Sequence, residues 1–272
     1  MKLLLGGSPL THLSLFSGIG GIDVAAKWAG FQTVGQCELA DCPTKVLEKH
    51  WPTVPRWRDI KDVTADSFRD KTGLGSVTLI SGGYPCQPFS QAGKRRGQDD
   101  DRYLWPEMLR VIEDLRPSWV LGENVIGIIN MELDAALFDL ESRGYTARTF
   151  IIPACSVGAM HKRCRVFIVA NSSGQRCGDL EESKQNSSPR MYIQNAQSIA
   201  LQKTTEINRA IDAFRILPKF RSGVLRNDDG LSEGLDRLKC LGNAVVPQQV
   251  YPILKAIAEI EAQLQYKMEG VC

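Results

Sequence analysis

The sequence predicts an α/β fold, a doubly wound, mostly parallel sheet with a small loop-rich insert. Short apolar runs of the kind found in buried strands alternate with segments whose apolar residues recur at helical spacing. The first strand is followed by a glycine-rich turn and a helix, the arrangement of a nucleotide-binding unit. From Asn171 to about residue 237 this alternation stops and the chain becomes rich in Ser, Gln and Asn.

These patterns predict one domain formed by residues 1–170 and 238–272, with residues 171–237 as a small separate region. A chain of 272 residues is long enough for one large domain with an appendage. Its net charge of +2 argues against a protein that coats nucleic acid nonspecifically, but is compatible with an enzyme that has a local basic cleft.

The eight cysteines are scattered, with no Cys-x-x-Cys pair and no Cys/His set at zinc-finger spacing. This predicts reduced thiols and no metal site. The apolar run at the amino end is too short for a signal peptide, and no run reaches membrane-spanning length. We therefore expect a cytoplasmic protein without a membrane partner.

The amino-terminal part predicts a nucleoside-type cofactor. A strand at 10–16 leads into the turn at 17–21 and a helix at 22–30, so that a ligand could approach the backbone and the helix N-terminus could hold a negative group. The next strand, at 33–37, ends at Glu38, about 20 residues after Gly18, where a doubly wound fold binds a ribose. A solvated strand end is the alternative for Glu38.

A helix at 40–50 and a short strand and turn at 56–60 follow. Asp59 in this turn has two possible roles. It could cap the segment that follows, or it could accept a hydrogen bond from an adenine amino group.

The central segment begins as an apolar run at 77–81, turns at Gly82 and Gly83, and then presents Cys86 between Pro85 and Pro88. A thiol on a rigid turn at a strand end suits a nucleophile. The alternative is a small buried apolar cysteine. The loop at 90–102 is rich in glycine and charge, and its three consecutive basic residues favour a mobile lid that closes on phosphates.

A helix at 103–115 and an apolar strand at 119–122 lead to Glu123, where burial can raise the pKa of the carboxyl so that it donates a hydrogen bond. After a helix at 131–143, strands at 145–153 and 165–170 predict a hairpin. The alternation of His161, Arg163 and Arg165 predicts that all three lie on one face of a strand. A final amphipathic helix is predicted from residue 248 to about 266.

In this order, the segments resemble the cytosine-C5 DNA methyltransferases of bacteria and phages. The matching segments are 16–21, Glu38, 59–60, 85–90, 123–125, 163–165 and 242–245, and the resemblance covers roughly residues 10–170 and 238–265. It implies the Rossmann-like fold of class I methyltransferases that use S-adenosylmethionine.

The resemblance also implies a chemistry. Cys86 matches the nucleophile that adds to C6 of a cytosine flipped out of duplex DNA. Glu123 matches the residue that hydrogen-bonds or protonates N3. Arg165 matches an arginine that helps to hold the base and the carboxyl group, and Arg163 is expected close to the same site.

The implied S-adenosylmethionine site contains Phe16, Ser17, Gly18, Gly20, Gly21, Glu38, Asp59, Ile60, Asn243 and Val245. The implied DNA contacts are Pro85, Gln87, Ser90, Lys94, Arg95, Arg96 and His161. Double-stranded DNA is the expected substrate of a monomeric enzyme that needs no metal, with a restriction endonuclease as a possible partner protein.

The sequence departs from this family in three ways. His161 stands where the family often has Gln, the segment expected before the last motif is not evident, and residues 171–237 are few for a target recognition region. Three alternatives stay open. They are a tRNA cytosine methyltransferase, whose Cys-Phe-Thr tripeptide is absent here, a DNA-binding relic without catalysis, and a thiol hydrolase using Cys86 with His161 or His50.

Overall fold

The computed structural model describes residues 9–85, 103–172 and 243–269, with side chains up to residue 265. Within these ranges seven strands form one sheet, and their bounds are β1 Thr11–Leu15, β2 Gln32–Cys37, β3 Arg56–Trp57, β4 Leu79–Gly82, β5 Trp119–Val125, β6 Tyr145–Pro153 and β7 Cys164–Ser172. The α-helices there are α1 Gly21–Trp28, α2 Asp41–His50, α3 Ala65–Thr72, α4 Trp105–Leu115, α5 Leu133–Ser142 and α6 Pro247–Glu269.

The strand order β3-β2-β1-β4-β5-β7-β6 confirms the predicted doubly wound, mostly parallel sheet. The first five strands in this order run parallel, whereas β7 is antiparallel to both β5 and β6. The predicted hairpin of β6 and β7 is therefore confirmed. The chain order reverses between β1 and β4, and ligands of such sheets bind at this switch point, beyond the carboxyl ends of the strands.

Apolar side chains cover both faces of the sheet. On one face Leu13, Ile80 and Val120 pack with residues of α3, α4 and α5, including Phe68, Met108 and Leu140. On the other face Leu79 and Leu121 pack with α1 and α6, whose contributions include Ala25, Ala26, Val250, Ile253 and Ile257. Strands buried on both sides read as continuous apolar runs, which explains why β4 and β5 were predictable.

The helix α3 was not predicted from the sequence, although it has clear local signals. Thr64 and Ser67 form a capping box at its start, and Gly73 ends it with a left-handed φ of 73°. The helix is polar apart from the buried Phe68, so its apolar periodicity is weak. A 3-10 helix at Ile126–Asn130 also precedes α5.

The prediction that His161, Arg163 and Arg165 share one face of a strand is wrong. Only Arg165 belongs to β7, which begins at Cys164. Arg163 has a φ of 27°, a left-handed conformation that no strand residue adopts. The backbone N–H of Ala154 donates to the carbonyl of Lys162 at 2.8 Å, which closes the loop between the two strands.

Residues 86–102 and 173–242 lie outside the described residues, and with them the predicted lid and nearly all of the predicted insert. Within the described ranges, no helix combines the length and apolarity needed to cross a bilayer. The same residues contain no cluster of three or more His, Cys, Asp or Glu side chains arranged to hold a metal ion.

Candidate active site

The glycine-rich turn after β1 uses left-handed backbone at every second residue. Phe16, Gly18 and Gly20 have φ values of 51°, 55° and 84°. Two backbone hydrogen bonds hold the turn, from Ser17 N–H to the Cys37 carbonyl and from Gly20 N–H to the Ser17 carbonyl, at 3.0 and 2.9 Å. Phe16 is not a glycine, so its conformation costs about 1–2 kcal/mol, and such residues cluster at functional sites.

Glu38, at the end of β2, holds this turn directly. One carboxylate oxygen accepts from the Gly18 N–H at 2.8 Å, and the other accepts from the Ala40 N–H at 2.9 Å. A Cβ added at Gly18 would have no heavy atom within 4 Å, so the space beside this residue is open. The predicted pairing of the turn with an acid about 20 residues later thus corresponds to a real contact.

Residues 243–245 return from the far end of the sequence to form part of the same site. Gly21, at the start of α1, lies so close to this segment that a Cβ there would be 2.4 Å from the Val245 carbonyl oxygen. The guanidinium of Arg163 donates to the Ala244 carbonyl at 2.7 Å. A glycine at position 21 is therefore required by the close backbone approach.

A pocket of about 380 Å³, counting the part open to solvent, lies between these segments and the end of the sheet. Six of the predicted cofactor residues line it, namely Phe16, Ser17, Gly18, Gly21, Asn243 and Val245. The sequence did not predict its further lining residues Ser14, Leu15, Ile19, Ile22, Gly83 and Ala244. Glu123 also lines it, so the predicted base site and the predicted cofactor site share one space.

Below the glycine turn, the structure contains a buried polar network that the sequence analysis missed. Asp23 in α1 is fully buried, and its two carboxylate oxygens accept hydrogen bonds from Ser14 Oγ at 2.9 Å and Gln36 Nε2 at 2.8 Å. Arg56 Nε donates to the other end of the Gln36 amide at 3.0 Å. A polar residue at a core-facing position of β1 and an acid in the first turn of α1 were the available signals.

Glu123 is the buried acid at the other side of the pocket. Its Oε1 lies 2.8 Å from Arg165 Nε and forms an ion pair with it. Burial raises the pKa of Glu123 to about 7, while Arg165 and Arg163 act in the opposite direction. The raised pKa agrees in direction with the sequence-based expectation.

The segment that leads to Cys86 begins beside this carboxyl group. A Cβ at Gly83 would lie 2.9 Å from Glu123 Oε2, so the chain passes directly over the acid. The buried Asn124 side chain donates to the Tyr84 carbonyl at 3.1 Å and ties β5 to this segment. Pro85 is exposed and is the last residue described before Cys86.

Several predicted site residues are not brought into the pocket. Gly20 packs against Trp51, and Ile60 belongs to the hydrophobic core. Asp59 is exposed and its carboxylate accepts from the Lys61 N–H at 2.9 Å, which is the capping role considered as an alternative. His161 is exposed in the loop before β7. Cys86, Gln87, Ser90, Lys94, Arg95 and Arg96 lie outside the described residues.

This arrangement suits a reaction between two bound groups. The turn and residues 243–245 can hold an extended polar ligand against backbone, since glycine permits close approach. A carboxyl group with a pKa near 7 can donate a hydrogen bond or a proton at neutral pH. The neighbouring arginine can orient that carboxyl and a second ligand.

Comparison with known proteins agrees with this geometry. Residues 10–219 match the family model described as C-5 cytosine-specific DNA methylase. The type II methyltransferase M.AgeI of Thalassovita gelatinovora is 32% identical over 195 residues, covering 68% of this chain and 45% of the relative. M.AquIA of Picosynechococcus is 34% identical, covering 60% of this chain and 72% of the relative.

The chain thus spans less than half the length of the first of these relatives. Among solved structures, the Dnmt2 methyltransferase of S. pombe superposes with a TM-score of 0.59 at 16% identity, covering 94% of this chain and 99% of the other. That likeness concerns the fold.

Proposed function

Because the chain belongs to the C-5 cytosine-specific DNA methylase family, we propose that it transfers a methyl group from S-adenosylmethionine to C5 of a cytosine in duplex DNA. The observation that carries the proposal is the position of Glu123. A buried carboxyl with a pKa of about 7 lines the same pocket as the glycine-rich turn, so a proton donor for the base and a cofactor site adjoin.

The pocket fits S-adenosylmethionine. The open space beside Gly18 and the close approach of Gly21 to Val245 give a backbone cradle, and the N-terminus of α1 favours a carboxylate there. Glu38, which already accepts from the Gly18 N–H, is assigned to the ribose hydroxyls. The exposed Asp59 is assigned to the adenine end by resemblance, whereas Ile60 is buried in the core. When bound, the cofactor supplies a methyl group on a positively charged sulfur.

Glu123 has the task of making the cytosine ring reactive. As the C6 position is attacked, negative charge develops towards N3, and a protonated carboxyl can hydrogen-bond or protonate that nitrogen. Burial keeps a substantial fraction of Glu123 protonated near neutral pH. Arg165, 2.8 Å from Oε1, orients the carboxyl and is assigned to the base.

Cys86 is assigned the role of nucleophile. Its thiolate would add to C6, and the resulting enamine carbon C5 could then take the methyl group, leaving S-adenosylhomocysteine as the product. Water would accept the C5 proton, and the electrons of the C5–H bond would restore the C5–C6 double bond as the C6–sulfur bond breaks and frees the Cys86 thiolate. Cys86 directly follows Pro85, and Gly83 lies over Glu123, so the chain reaches position 86 from the edge of the pocket.

The DNA side of the proposal rests on the resemblance. The target base must leave the duplex, and Gln87, Ser90, Lys94, Arg95 and Arg96 are assigned to the DNA around it, with residues 171–237 assigned to recognition of the flanking bases. The type II names of the relatives place those proteins in restriction–modification, and a cognate endonuclease is proposed for this chain by analogy.

Bisulfite sequencing of DNA from cells that express the protein tests activity, product and target site together. We expect methylated cytosines at one sequence context in cells with the wild-type protein and none with Cys86→Ser. The serine variant should still bind DNA with an affinity near that of the wild type. Equal methylation by both proteins would remove Cys86 from its assigned role.

A further inference from the structure

Two sets of hydrogen bonds connect α6, the loop before β7 and the part of the pocket formed by residues 243–245. The first set is the hydrogen bond from the Arg163 guanidinium to the Ala244 carbonyl, at 2.7 Å. In the second set, the fully buried side chain of Gln249 in α6 donates to the Arg163 carbonyl at 3.0 Å and to the Ile152 carbonyl at 2.7 Å. Gln249 thus holds the backbone from which the Arg163 side chain extends.

Arg163 needs such a support because of its backbone. Its φ of 27° is unfavourable for any residue other than glycine, by about 1–2 kcal/mol. It lies in the short connection between the 3-10 helix Ala154–Val157 and β7. Its carbonyl also accepts from the Ala154 N–H, at 3.3 Å, and the bond from Gln249 is the shorter of the two. Loss of the bond from Gln249 would leave the longer one and let the guanidinium shift relative to Ala244.

The chemistry of Gln249 argues for a positioning task beyond filling the core. Both of its partners are carbonyl oxygens, which only accept, so the amide nitrogen must face them. The amide oxygen is then buried without a hydrogen-bond partner among the described residues, which is unfavourable. The core-facing residues that follow in α6, Val250, Ile253 and Leu254, are apolar, so a polar residue here is a local exception.

We propose that Gln249 is a positioning residue for the cofactor. It fixes Arg163, and through Arg163 it fixes residues 243–245 at the distance from Gly21 that the pocket requires. The inference rests on the proposed function, since it takes this pocket as the site of S-adenosylmethionine. Gln249 does not line the pocket itself.

The test is calorimetric binding of the product S-adenosylhomocysteine to wild type, Gln249→Met and Gln248→Met. Methionine has nearly the shape of glutamine but donates no hydrogen bond. Gln248 is the matched control, since it is the neighbouring glutamine of the same helix and is partly exposed. We expect the dissociation constant to rise at least fivefold for Gln249→Met and to stay within twofold for Gln248→Met. In steady-state kinetics KM for S-adenosylmethionine should rise more than kcat falls.

The outcomes separate the inference from the proposed function. If wild type does not bind S-adenosylhomocysteine, the proposed function fails. If wild type binds it and folded Gln249→Met binds equally well, the inference alone is overturned. Should circular dichroism show that Gln249→Met is unfolded, the milder Gln249→Asn, whose amide is too short to reach both carbonyls, is measured in the same way. Loss of folding in both variants would assign Gln249 a structural role only and would also overturn the proposal.

Discussion

Two buried carboxyl groups have different surroundings: Glu123 lines the pocket, and Asp23 lies behind the lining residue Ser14. Asp23, below the glycine turn, has each oxygen paired with a good donor, Ser14 on one side and Gln36 on the other. Glu123 forms an ion pair with Arg165 at 2.8 Å, and burial raises its pKa to about 7. The difference shows that burial alone does not determine how a carboxyl group is held, since Asp23 faces two hydrogen-bond donors and Glu123 faces an ion-pair partner.

The largest expected effect is on the rate of methyl transfer when Glu123 is replaced. Glu123→Gln keeps the shape but supplies no proton to N3, so methyl transfer should slow by about two orders of magnitude or more, roughly 2.7 kcal/mol of barrier. Single-turnover rates with saturating cofactor and DNA measure this. A rate within a factor of about 10 of the wild type would show that Glu123 does not have the assigned role.

The Glu123→Gln variant also tests the difference between the two carboxyl groups through the pH dependence of stability. The folded pKa of Glu123, about 7, lies above its ordinary value of 4.5, so the folded state binds more protons between these values. Stability contributed by this group is therefore present in full below pH 4.5 and is lost as the pH rises through 7. As the pH rises through this range, the free energy of unfolding of the wild type should fall by up to about 3 kcal/mol relative to that of Glu123→Gln.

Denaturant unfolding of both proteins at a series of pH values measures the difference. Other buried groups, such as His12, whose pKa is lowered by burial, occur in both proteins and cancel in the comparison. A constant difference between pH 4.5 and 8 would contradict the raised pKa.

On the other side of the comparison, Asp23→Asn should act on stability. The asparagine amide has one oxygen, so if that oxygen accepts from Gln36 Nε2, the Ser14 hydroxyl must turn to accept from the new NH₂ group. The two bonds to a carboxylate then become weaker bonds to an uncharged amide. We expect a loss of about 2 kcal/mol in the free energy of unfolding. The transfer rate per folded molecule should change by less than about threefold, roughly 0.7 kcal/mol. A rate loss as large as that of Glu123→Gln would break the distinction between the two carboxyl groups.

The smallest expected effect is that of Ser14→Ala, which removes one neutral donor from Asp23 and leaves the bond from Gln36. The loss in unfolding free energy should be about 1 kcal/mol, as for a typical hydrogen bond. Thermal unfolding measures it, with Ser17→Ala as the control, because Ser17 Oγ donates to backbone carbonyls and not to Asp23. A loss larger than that of Asp23→Asn would mean that Ser14 has a further structural role.

The features predicted from the sequence are those whose causes are local. The glycine turn, the apolar strands β4 and β5 and the amphipathic helix α4 are encoded by runs of adjacent residues. Glu123 was predictable because it follows such a run. The Asp23 network was not, because Asp23 lies in α1 and the other members come from β1, β2 and β3, which the sequence does not show as neighbours.

The error at Arg163 has the same origin. Alternation of polar residues predicted a strand, but the tertiary contacts of Gln249 and Ala244 stabilise a left-handed residue that ends the pattern. Helix α3 was missed for the opposite reason. Its capping residues are present in the sequence, but its apolar residues are too few to show helical spacing. Whether His161, Arg163 and Arg165 lie on one face depends on the φ angle of Arg163, which the spacing of polar residues does not predict.

The contact of Gly21 with Val245 has a consequence for biosynthesis. The ribosome makes Gly21 long before it makes the opposing segment 243–245, which follows in the chain only after the whole sheet has been synthesised. A nascent chain that has formed β1, α1 and even the whole parallel half of the sheet still lacks one wall of its pocket. Ligand capture must therefore wait until residues 243–245 have left the ribosome and packed against Gly21.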